Sequence, residues 1–105
     1  MITATVYGGT SSAVIIRVLQ NGEPINFSAV TRITADFEGS AVVVDSDDSP
    51  DSILWNSSGE ISLILSDFGI AAGDRRLGLT VYDAGHTSGQ RLIDPAINHL
   101  VLRFL

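Results

Sequence analysis

Apolar residues recur at every second position through most of this sequence, and no window of eleven or more keeps them at the i, i+3, i+4, i+7 spacing of a helix. Ile33, Ala35 and Phe37 alternate with Arg32, Thr34 and Asp36; Ile61, Leu63 and Leu65 alternate with Glu60, Ser62 and Ile64. Leu77, Leu79 and Val81 stand between Arg76, Gly78, Thr80 and Tyr82, and Leu100, Leu102 and Phe104 beside His99, Val101 and Arg103. In an extended chain successive side chains point to opposite faces, so each segment has one apolar and one polar face. That is the signature of half-buried antiparallel strands. Residues 1–7 read as another strand, with no basic stretch to mark a signal peptide. Two denser runs, residues 13–19 (broken only by Arg17) and 41–44, predict more fully buried strands. The chain is confined to an all-β fold.

The punctuation agrees. Asn21-Gly22 predicts a tight hairpin, because both central residues of a type I′ turn need a positive φ. Pro24, just beyond it, removes a backbone donor and marks an edge. Ser57-Ser58-Gly59 predicts a turn before Glu60, and Gly85 to Gly89 a loop between Tyr82 and Arg91. Helix is restricted to single turns, one in Ser66 to Ala72 stopped by Gly73, another in Asp94 to Ile97 with Asp94 as N-cap and Pro95 at the first position. Seven to nine short strands separated by such turns predict one antiparallel β-sandwich domain over residues 1–105, with Trp55 as a core anchor.

Charge and composition remove several functions. The chain carries six arginines, no lysine and twelve carboxylates, a net charge of −6. Nucleic acid and anionic membranes both select clustered cations, so neither is an expected partner. No apolar stretch approaches the roughly 18 residues of a membrane-spanning helix, and insertion is not expected. Without cysteine there is no disulfide, thiolate metal site or thiol nucleophile. The chain is expected to be made and used in a cytoplasm, or carried in a particle assembled there.

The residues that carry chemistry do not form a constellation. Asp45, Asp47, Asp48 and Asp51 are hard oxygen donors close in sequence, as calcium prefers. Counted from Asp45, however, the sixth position of an EF-hand loop is Pro50 instead of Gly, and the twelfth is Asn56 instead of Glu. The segment reads as a solvated loop. His86 and His99 have no fixed spacing to carboxylates, and Gly-x-Ser-x-Gly is absent, so neither a metal site nor a nucleophile elbow is predicted. Asp36 and Glu38 share a strand face, but a domain this small has little room for a sugar cleft between two carboxylates. The arginines are expected to lie along outer faces with their heads in water or paired to aspartate. No catalytic residue, cofactor or metal is predicted.

The missing lysines matter in another way. Single-domain β proteins commonly protect edge strands with lysine, proline or inward charge. The last segment, residues 98–105, carries one charged side chain, and residues 2–7 carry none. At least one of these edges is expected to be covered, within the fold or by another subunit. Leu100, Leu102, Phe104 and Leu105 are therefore the candidate interface of a homo-oligomer or larger complex. The alternative is that this strand closes the sandwich and its leucines and phenylalanine are core.

Several segments resemble a family. Residues 14–28, an apolar strand followed by Asn21-Gly22-Glu23-Pro24-Ile25 and a short Phe27-Ser28 step, are similar to the opening of small β-sandwich domains in tailed-phage and prophage baseplate and tail proteins. Residues 33–37 resemble the next strand of that pattern, Ser58 to Leu65 its "serine-glycine-x-isoleucine-x-leucine" strand, and Leu77 to Asp83 a later strand after a one-turn helical step. The resemblance covers residues 13–83 in order. It implies an Ig-like sandwich, no catalytic residues, and a place among other virion or tail subunits. The family often continues into a stalk or receptor-binding head. A chain stopping at Leu105 leaves the expectation of a small adaptor.

The expected function is a non-enzymatic structural subunit of a phage or prophage tail, baseplate or neck, located in the virion and assembled in the host cytoplasm. A tailocin or a secretion device built on the same plan remains open. The alternative is a carbohydrate- or receptor-binding module of a phage tail, for which Trp55, Tyr7 and Tyr82 are the available aromatic platforms.

Overall fold

Alternation becomes strand wherever an apolar face finds a second layer to cover it. A computed structural model of the chain describes residues 2–6, 14–20, 22–65, 68–70, 73–93 and 100–104. Its strands are β1 (Ile2–Val6), β2 (Val14–Arg17), β3 (Leu19–Gln20), β4 (Glu23–Pro24), β5 (Arg32–Phe37), β6 (Val43–Asp45), β7 (Ile53–Trp55), β8 (Glu60–Leu63), β9 (Gly73–Asp83), β10 (His86–Ile93) and β11 (Leu100–Phe104). The fold is all-β, with nine of these strands three residues or longer.

The larger sheet runs β1-β11-β9-β5-β6, and β10 also pairs with β9. The smaller runs β2-β8-β7, and β3 and β4 form a two-residue ladder about residues 21–22, where Gly22 has a φ of 81°. Asn21 itself lies outside the described residues. Among the described residues every pairing is antiparallel except β1 with β11, which is parallel from Ile2↔Leu100 to Val6↔Phe104. Strand β9 is the spine: Leu77 to Tyr82 pair with β5 on one side. On its other side β11 takes the first half, Gly73 to Arg76, and β10 takes residues 79–83.

One core draws on both sheets, giving the fold a sandwich-like character. Ile33, Ala35, Phe37, Leu77, Leu79 and Val81 from the larger sheet pack in one cluster with Ile53, Ile61 and Leu63 from the smaller. These are the apolar members of the alternating segments, on the faces their spacing predicts. Phe37 and Phe104 meet edge to face, with ring centroids 5.5 Å apart at 87°, the favourable arrangement of two aromatic quadrupoles.

Four expectations change. The last strand is not an edge: β11 lies between β1 and β9, with Leu102 at 0% exposure and Phe104 at 5%. The two terminal strands cover one another, and Val101, read as a polar-face position, is buried as well. The dense apolar runs are not more deeply buried. Instead Ile15, Leu19 and Val43 are exposed, since consecutive apolar residues in a strand cannot all face one core. Residues 86–89 belong to β10 and not to a loop, because the turn needs only Ala84 and Gly85, with the Asp83 carboxylate accepting the Gly85 N–H at 2.9 Å. Phe68 to Ile70 are not helical. The remainder of that proposed turn (66–67 and 71–72), the 94–97 turn, His99, Tyr7 and Leu105 lie outside the described residues.

Candidate functional site

The outer face of the larger sheet is built from the polar members of the same alternation. Register places Asp45, Thr34, Thr80 and Arg91 in one row across β6, β5, β9 and β10, with Arg32 opposite Tyr82 on one flank and Val43, Asp36 and Gly78 in line on the other. The charged members pair within the chain. Arg32 donates to both carboxylate oxygens of Asp45, and its Nε also stands 3.5 Å from Asp47. That hydrogen bond from Arg32, with a second from the Asp47 N–H, holds the Asp45 carboxyl below the usual carboxylate range and raises the Arg32 guanidinium. Arg91 grips Asp36 at 2.5 and 2.9 Å and reaches Thr80 at 3.1 Å. Arg103 does the same for its cross-strand neighbour Asp74, whose carboxyl it lowers.

These contacts decide several candidate sites. The carboxylate of Asp45 is taken up by Arg32, and its carbonyl accepts the Asp48 and Ser49 N–H groups at 3.1 and 2.8 Å. Among the described residues no three His, Cys, Asp or Glu side chains are gathered to hold a metal ion. Asp36 is committed to Arg91, while Glu38 sits in the following turn with its carbonyl facing Arg75, so the two do not form a carboxylate pair across a cleft. His86 is exposed at the β9–β10 turn, its Nδ1 2.9 Å from Asp83 Oδ1, and its hydrogen bond lowers the Asp83 carboxyl. Tyr82 is no open platform: the Arg32 guanidinium lies 4.7 Å from the ring centroid. Trp55 turns inward beside Ile61 and packs against the core. Among the described residues no helix is long and apolar enough to cross a membrane.

The smaller sheet differs. Its inward rows are Val14–Leu63–Ile53 and Ile16–Ile61–Trp55, so the row between them, Ile15–Ser62–Leu54, faces outward. Ile15 is 62% and Leu54 51% exposed, and Arg17 opposite Glu60 forms the next row. Among the described strands, Leu54 also lies on an outer one, β7. The Asn56 N–H donates to the Glu60 carbonyl and the Ile64 N–H to the Ser52 carbonyl, which fixes residues 52, 54 and 56 as those bonded to β8. By the alternation of an antiparallel ladder, the main-chain groups of Ile53 and Trp55 point away from the sheet.

Of the interface residues expected from sequence, Leu102 and Phe104 are core and Leu100 is half-buried against it. The surface that sequence reasoning missed is Ile15 and Leu54. Its signal was present in the neighbouring pairs Ile15-Ile16 and Ile53-Leu54, where one apolar residue of each must face out. No family model, curated protein or solved structure matches the chain.

Proposed function

We propose that this protein is a non-enzymatic structural subunit of a phage or prophage tail, baseplate or neck, working in the virion by packing against other subunits and by strand pairing. The observation that carries the packing role is the outward row Ile15–Ser62–Leu54, two large apolar side chains on a sheet face beside an outer strand without charge. Burying such side chains drives association, and an unpaired strand edge gives it direction. The particle itself is proposed from the resemblance of residues 13–83 to tail and baseplate sandwich domains. The charged groups of the other sheet, closed in pairs on one surface, fit a scaffold better than a turnover site.

Mass spectrometry of purified particles from the producing host tests the reading. The chain is expected at a fixed stoichiometry with tail proteins, and its gene deletion is expected to leave incomplete particles. Its absence from every mature particle, together with normal particles after deletion, overturns it.

A further inference from the structure

We propose that β7 is a self-pairing edge: two copies of this chain join antiparallel through Ile53–Trp55, about a two-fold axis at Leu54. The inference deepens the packing role proposed above, and the two fail separately, since copies can pair whether or not the chain enters a particle. Ile53 and Trp55 point their N–H and C=O groups outward, and Leu54 points its own toward β8. Two such edges match when Leu54 stands opposite Leu54 of the second copy. Ile53 then exchanges both main-chain hydrogen bonds with Trp55 of the other copy, and the reverse pair does the same. Leu54 becomes a non-hydrogen-bonded pair, the closer kind, so the two leucines meet on the outer face. The row Ile15–Ser62–Leu54 then continues without interruption into its symmetric copy.

Charge selects this register. Each copy carries a net charge of −6, so association requires an edge on which carboxylates do not face each other. With Leu54 on the axis, Ser52 stands across from Asn56 and Asp51 across from Ser57 of the second copy. Three other outer strands are poorer candidates. Strand β2 ends in the charged Arg17. On β6 the Asp45 carbonyl is already taken by Asp48 and Ser49, and β10 is interrupted by register shifts against β9, the kind of irregularity that blunts an edge. An apolar, uncharged, regular edge that complements itself selects a second copy of the chain.

The natural chain has no cysteine, so one introduced thiol reports one contact. Leu54→Cys places two thiols at a non-hydrogen-bonded pair, where the Cα separation of about 4.5 Å suits a disulfide. Ile15→Cys is at a position even more exposed on the same face but lies two strands from the axis. Under mild oxidation Leu54→Cys is expected to crosslink at least about tenfold faster than Ile15→Cys, because only the first pair meets disulfide geometry. Leu54→Lys is expected to sediment as a folded monomer, with far-UV circular dichroism unchanged. Equal crosslinking of both cysteines overturns edge pairing in favour of face-to-face association. No crosslinking in either, or an unaltered chain that sediments as a monomer at high micromolar concentration, overturns the proposal outright.

Discussion

Arg91 reaches over Gly78 to hold Asp36 with both arms of its guanidinium, at 2.5 and 2.9 Å, spanning the full width of β9 from β10 to β5. A Cβ at position 78 would stand 2.7 Å from the Asp36 carboxylate and closer still to the Arg91 head. Both are the mobile ends of half-exposed side chains, so Gly78→Ala displaces the pair and leaves the sheet intact. The expected cost is that of an exposed ion pair, about 0.5–1 kcal/mol. In an Arg91→Ala background the same change should cost nothing or stabilise slightly, through the unfolded chain's reduced freedom. Urea denaturation of the four variants measures the difference.

Gly89 offers a contrast. Its φ is 89°, and a Cβ there would lie 2.6 Å from Thr80 Cγ2 and 2.7 Å from the Tyr82 ring. Here the backbone is strained for any L side chain and the obstacles are anchored on the neighbouring strand. Gly89→Ala is expected to cost about 2–3 kcal/mol, clearly more than Gly78→Ala. Equal urea midpoints for the two would contradict this reading of the β9–β10 pairing.

Ser46 is buried, and its Oγ accepts the Ile33 N–H at 3.0 Å while its own N–H donates to the Ile33 carbonyl. Ser46→Ala leaves the Ile33 N–H without an acceptor beside the core, at a cost of about 1–3 kcal/mol. Ser40→Ala, whose partner is the Val42 N–H at a half-buried site, should cost less. Thermal melts of the pair provide the comparison.

Among the described residues, three carboxylates contribute to the acid limb of stability. Asp45, Asp74 and Asp83 are all held below their ordinary values, by Arg32, Arg103 and His86 respectively. A depressed folded pKa stabilises above the unfolded value of about 3.9, and that stability is lost as pH falls through the lower folded values. The urea midpoint should therefore decline below about pH 4, with little contribution from these groups to any slope between pH 5 and 7. Asp45→Asn should flatten the decline more than Asp74→Asn, because the Asp45 side chain is 14% exposed against 52% for Asp74, where salt and water screen the pair.

Leu102→Ala tests the placement of the last strand. At 0% exposure between β1 and β9 it should lose about 2–5 kcal/mol, whereas Leu54→Ala should change monomer stability by less than about 1 kcal/mol. Deleting residues 103–105 removes Phe104 from its contact with Phe37 and is expected to unfold the domain. A folded truncated monomer would return that segment to the surface.

The inward faces were legible in the sequence because a period of two admits one buried set per strand, as Ile33, Ala35 and Phe37 illustrate. Where apolar residues adjoin, as at Val14-Ile15-Ile16, periodicity cannot say which face the core takes, and the dense run predicts a buried Ile15 that in fact stands outside. Strand order was illegible for a different reason. That residues 2–6 lie beside 100–104 depends on closing the longest loop in the chain, which leaves no local mark. The ion pairs fall between these cases: arginines beside aspartates were expected, but the choice of Asp36 for Arg91 follows from Gly78 leaving space beneath them.

The parallel pairing of β1 with β11 also bears on the order in which the chain is made. Ile2 to Val6 leave the ribosome before the other described strands, yet their partners, Leu100 to Phe104, follow after all of these. Until then β1 has no ladder to join, and β9 lacks the strand that covers its first half. Such distant pairing slows folding, because loop-closure entropy is lost before the contact rewards it. The larger sheet can be completed only after synthesis reaches its last strand, and a nascent chain stalled short of residue 100 carries an open sheet that chaperones must shield.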